Sequence, residues 1–92
     1  MPKKKAKTGE ATLFKASLLH AGIAHEVEGE MLFDALSKLD PQQVKLKGIL
    51  RVTKGDKAVE RLFYRKALRR VLGNKSARLL WATRLEYLLS LQ

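Results

Sequence analysis

The sequence predicts an all-α fold: a small single-domain bundle of four or five short helices behind a disordered basic N-terminal arm. Three observations lead there. Apolar residues recur at three- and four-residue intervals over much of residues 10–92, the period of a helix face. Glycine, asparagine and proline fall where helices of ordinary length would start or stop. Finally, 92 residues with 46% hydrophobic content suffice for one core, too little chain for two domains and too apolar for a wholly disordered one.

Each element has its own justification. Residues 1–9 hold Lys3, Lys4, Lys5 and Lys7, a proline and a glycine, with no apolar residue able to anchor them, so they read as a flexible basic arm ahead of a helical domain over 10–92. From Glu10, the residues Leu13, Phe14, Ser17, Leu18 and Ala21 fall on one helical face, with Thr8 as N-cap and Gly22 as stop. A second helix is expected over 27–39, where Val27, Met31, Leu32, Ala35, Leu36 and Leu39 keep helical spacing and the early glutamates suit the positive end of the dipole. Asp40 followed by Pro41 is a cap with proline at the first helical position.

Residues 42–53 support two readings. Val44, Lys45, Leu46 and Lys47 alternate like a strand, whereas Val44, Ile49 and Leu50 fit a helix interrupted by Gly48. Helix is preferred, because a lone short strand would have no partner. Lys54, Gly55 and Asp56 form a turn. The longest helix is then expected over 57–72, closed by Gly73 and Asn74, with a last helix from Ser76 nearly to the C-terminus.

Charge is distributed unevenly over this frame. Residues 10–40 carry six acids against Lys15 and Lys38, whereas residues 41–92 carry thirteen Lys/Arg against Asp56, Glu60 and Glu86. Such an excess self-repels unless it meets a polyanion, and the commonest polyanion is nucleic acid. Within the expected fourth helix, Arg61, Arg65 and Arg69 form one i, i+4 row and Lys66 and Arg70 a second, while Phe63, Tyr64, Ala67, Leu68, Val71 and Leu72 cover the other side. Lys45, Lys47, Arg51, Lys54, Lys57, Lys75 and Arg78 flank this face, and the arm lysines add to it. Arginine forks suit phosphate oxygens, and a helix fits a duplex major groove.

A helix-turn-helix with residues 41–52 as first helix and 57–72 as reader matches poorly, since Arg51 stands where a small residue is wanted. Phe14, Phe33, Phe63, Tyr64, Trp81 and Tyr87 sit at helical core spacing rather than on a strand platform, which favours duplex binding over single-strand stacking. Duplex DNA is the expected partner ahead of RNA. The arm also resembles a short nuclear-localisation signal or a minor-groove arm.

Other chemistry finds little support. The chain has no cysteine, so no disulfide, thiol nucleophile or cysteine-ligated zinc is available. His20 and His25 lack the spacing of a helical metal pair, and no phosphate loop, nucleophile elbow or carboxylate cluster appears. No enzyme activity, metal or cofactor is expected. Without a signal-like or membrane-length apolar run, the expectation is an intracellular protein, cytoplasmic or at the nucleoid, or nuclear if eukaryotic, that does not engage membrane.

The final helix carries a second apolar side. Trp81, Leu85, Leu88 and Leu89 form one face, and Leu80, Tyr87 and Leu91 lie nearly opposite. Such a helix needs cover on both sides, from another helix of the chain or from a second subunit in a homodimer. The expected function is DNA binding through phosphate contacts, as a regulatory or accessory factor. The alternatives are an RNA-binding protein, or an adaptor or inhibitor docking its basic face on an acidic protein.

Overall fold

A computed structural model describes residues 13–92. The chain forms an antiparallel four-stranded sheet with three helices packed on one face, so the all-α expectation is overturned. The strands are β1 (Phe14–His20), β2 (Ile23–Gly29), β3 (Lys47–Lys54) and β4 (Lys57–Tyr64). The helices are α1 (Leu32–Ser37), α2 (Arg65–Gly73) and α3 (Lys75–Ser90), with a 3-10 turn at Pro41–Gln43. Strand order is β2-β1-β3-β4, so each hairpin contributes one central and one edge strand.

The physical reason for the difference lies in period and turns. In β1, Phe14, Ala16 and Leu18 are buried while Lys15 is exposed, a two-residue alternation hidden in a segment short enough to satisfy a helical period too. The Ala21–Gly22 link has φ of 50° and 78°, the pair of positive values that a type I′ hairpin requires. Gly22 is therefore a hairpin residue and not a helix stop. At the second hairpin only Gly55 has positive φ, 63°, which fits a type II′ turn. β3 has partners on both sides, pairing Leu50 with Leu18 and with Arg61, which removes the objection to a lone strand.

Local signals elsewhere hold. Asp40 Oδ1 accepts from the Gln42 amide at 3.0 Å, with Pro41 opening the 3-10 turn. Asn74 ends α2 and caps α3, its Oδ1 accepting from the Ala77 amide at 2.9 Å. The helix expected over 27–39 shrinks to the six residues of α1, because Val27 belongs to β2. A Cβ on Gly29 would stand 3.0 Å from the Ala35 nitrogen, so the absence of a side chain lets α1 lie against the end of β2.

The core sits between the sheet and the helix layer. Ala16, Leu18, Leu50 and Val52 from the central strands meet Leu32, Ala35 and Leu36 of α1, Leu68 and Leu72 of α2, and Ala82, Leu85 and Leu89 of α3. Phe63 and Trp81 meet edge to face, 5.1 Å between centroids at 84°, so Trp81 packs on the core. At the C-terminus the Gln92 carboxamide both donates to the Ala58 carbonyl (2.5 Å) and accepts from the Ala58 amide (3.2 Å), covering one stretch of the β4 edge. Among the described residues no other helix covers the outer side of α3. Leu80, Tyr87 and Leu91 remain about half exposed or more. Among the described residues no helix is long and apolar enough to cross a membrane.

Candidate nucleic-acid interface

The break between β4 and α2 decides which cations stand together. Tyr64 is the last strand residue and Arg65 the first helical one, so Arg61 leaves the arginine row and lies in β4, opposite Leu50. The long basic helix, and with it the helix-turn-helix expected from residues 41–52 and 57–72, does not form, because 47–54 and 57–64 are strands. Four of the five expected cations stay on one helix. Leu68, Val71 and Leu72 turn α2 toward the core, which leaves Arg65, Lys66, Arg69 and Arg70 exposed. Their pairs, Arg65 with Arg69 and Lys66 with Arg70, stand about 6 Å apart along the axis.

A second basic segment joins this helix at its start. The Arg65 amide donates to the Leu46 carbonyl at 2.8 Å, and Lys47 pairs in register with Tyr64. Exposed Lys45 and Lys47 therefore border the first turn of α2. A hollow of about 360 Å³ opens among Arg65, Lys66 and Arg69. Another, of about 380 Å³, lies beside the first hairpin turn between His20, Ile23 and the stretch from Gln43 to Lys47. Both are at the same end of the sheet.

The electrostatics of this end are unfavourable for the isolated chain. Like charges at i, i+4 cost about 0.2–0.5 kcal/mol per pair on a helix. Arg65 and Lys66 also occupy the first turn, where the helix dipole favours acids, and α2 has no acid there and no side-chain cap. Among the described residues, ion pairs form at Lys15–Glu28 (3.9 Å) and Arg51–Glu60 (3.7 Å), and none of the α2 cations enters either.

The remaining expected residues divide. Arg51 lies on the sheet face away from the helices and is engaged with Glu60. Lys54 and Lys57 flank the second hairpin turn at the opposite end of the sheet, the Lys54 Nζ lying 4.5 Å from the Phe14 ring centroid. Lys75 is exposed at the start of α3. Arg78 is part-buried: its Nη1 donates to the Leu72 carbonyl at 2.6 Å, its guanidinium lies 4.9 Å from the Phe33 centroid, and its Nε is buried with no hydrogen-bond partner among the described residues. It ties α3 to α2 and α1. Lys3, Lys4, Lys5 and Lys7 lie outside the described residues.

Tyr64 is the residue that helical spacing misplaced. Counted as helix it falls with Phe63 on the buried side, whereas in β4 it projects away from Phe63 and is 62% exposed. The signal that marks it is the alternation Glu60, Leu62, Tyr64. His20 and His25 sit on adjacent strands of the first hairpin. No family model matches the chain, and comparisons with curated proteins and with solved structures likewise return no match.

Proposed function

We propose that this chain is a small nucleic-acid-binding protein of accessory or regulatory type, gripping phosphates with α2 and the adjoining 45–47 segment. The observation that carries the reading is the exposed quartet Arg65, Lys66, Arg69 and Arg70, outside the ion pairs and partly at the wrong end of a helix dipole. A phosphate chain removes both penalties at once. The groove-reading helix that first favoured duplex DNA is absent, so the reading rests on phosphates alone. Its test is retention of labelled duplex and single-stranded oligonucleotides over a salt series: log affinity is expected to fall linearly with log salt. No retention of either at low salt would refute the reading and leave an acidic protein surface as the partner of the basic face.

A second feature supports self-association. Leu80, Tyr87 and Leu91 lie exposed in one row along the outer side of α3, interrupted by Arg84, so a homodimer through that helix is the companion proposal, and a twofold pair would double the basic surface. Light scattering over a concentration series is expected to show a dimer that Leu80→Glu converts to a folded monomer. Leu88 is unsuited to this test because it is half-buried against the core. A parent monomeric at all concentrations would end the proposal.

A further inference from the structure

The three helices pack on one face of the sheet and leave the other open. Across that open face runs a register row with one apolar residue per strand: Ala24, Leu19, Ile49 and Leu62. The next position along β4 is Tyr64, which sits directly opposite Lys47 and is followed by Arg65. Leu62 and Tyr64 are 54% and 62% exposed. The far half of the same face is internally matched, with Lys15 against Glu28, Arg51 against Glu60, and Ser17 Oγ donating to Glu26 at 3.4 Å. The open face is thus neutralised at one end. At the other it is apolar, aromatic and bordered by cations that have no ion-pair partner among the described residues.

We propose that this end of the open face binds an unpaired stretch of a nucleic-acid strand, one base stacking on the Tyr64 ring while Lys47 and Arg65 hold the phosphates beside it. The proposal rests on the nucleic-acid reading above and names the strand state that the site takes. A duplex turns its phosphates outward and hides its base faces in the stack, so Leu62, Ile49 and the Tyr64 ring gain nothing from it. An unpaired strand exposes flat apolar base faces a few ångströms from each phosphate. Cross-strand neighbours such as Tyr64 and Lys47 stand roughly 5 Å apart, a spacing that lets one nucleotide meet both. Local charge decides between this occupant and a second copy of the chain. A second copy seated on this patch would bring Lys47 and Arg65 against like cations, whereas a strand brings one negative charge per nucleotide.

The test is equilibrium binding, by fluorescence anisotropy at low salt, of an oligothymidylate of about twelve nucleotides and of a duplex of equal length. The variant is Tyr64→Thr, which puts a β-branched, strand-favouring residue at this position and places a capping hydroxyl before α2, so folding is protected and is checked by circular dichroism. The parent is expected to prefer the single strand. Tyr64→Thr should weaken that binding by about 5- to 100-fold and leave the duplex affinity alone, and Tyr64→Phe should bind like the parent. Parental affinity of Tyr64→Thr for the oligothymidylate, or a parent preference for duplex, overturns the proposal while leaving phosphate binding intact. If Tyr64→Thr instead turns a dimer into a monomer, the face belongs to a second copy and the proposal fails. If the parent binds neither oligonucleotide, this proposal and the broader reading fall together.

Discussion

Replacing Arg65 and Arg69 together by alanine should move stability and affinity in opposite directions. Both side chains are exposed, stand in one i, i+4 row and enter neither of the ion pairs found among the described residues. Removing the pair relieves a like-charge repulsion of about 0.2–0.5 kcal/mol, takes a cation from the positive end of α2, and introduces the best helix former. The melting temperature should therefore stay level or rise by a few degrees. Binding should respond much more strongly. Each phosphate contact contributes about 0.9 to the slope of log affinity against log salt on duplex DNA, so two contacts lower the slope by about 1.8. If these contacts vanish near 1 M salt, their loss at 0.1 M weakens duplex binding about 60-fold. On a single strand, where each contact contributes about 0.7, the loss is about 25-fold. Anisotropy titrations across a salt series measure slope and affinity together, and a thermal melt measures stability. Arg61→Ala is the matched control, since Arg61 is a strand residue of β4 and belongs to neither α2 row; its slope should remain parental. Parental affinity and slope in the double variant would show that the α2 face is only solvated surface, and a clear fall in melting temperature would show that its cations are structural.

Two further outcomes test the fold. Ala21 holds a φ of 50° in the first hairpin turn, a conformation that asparagine tolerates better, so Ala21→Asn should stabilise the chain by about 1 kcal/mol and raise the melting temperature by about 4–8 °C; an unchanged or lower melt would remove the type I′ assignment. Gly29→Ala drives a methyl group to 3.0 Å from the Ala35 nitrogen and 3.1 Å from the Met31 carbonyl, both backbone atoms, and should cost about 1–3 kcal/mol in a denaturant titration. Gly48→Ala should cost less, because its new contacts are longer: the ends of the Val44 and Leu18 side chains at 3.3 and 3.4 Å and the Leu19 carbonyl at 3.4 Å. The reverse ranking would contradict the packing of α1 on β2.

How much of the site was legible follows from where its residues sit. Arg65, Lys66, Arg69 and Arg70 keep their two rows because residues 65–73 are helical in either reading, and an i, i+4 relation is set within one turn. Arg61 and Tyr64 were misplaced because residues 57–64 are a strand, and in a strand Tyr64 projects to the opposite side from Phe63. Arg78 carries the same formal charge as its neighbours, yet it packs between Leu72 and Phe33, and those contacts exist only once α1, α2 and α3 have assembled.

The features that the sequence determined by itself are local ones. A basic segment after residue 40, the Asp40–Pro41 cap, the break at Gly73–Asn74 and a C-terminal helix apolar on two sides all depend on residues within a few positions of one another. Residues 14–29 and 47–64 were decided by tertiary structure. Their apolar residues satisfy helical and strand periods over so short a span that neither wins locally. The choice falls to partners thirty or more residues away, Leu18 with Leu50 and Leu19 with Ile49. Once those strands pair, the helices are confined to one face of the sheet, and that confinement leaves Tyr64, Lys47 and the α2 cations together at one end of it.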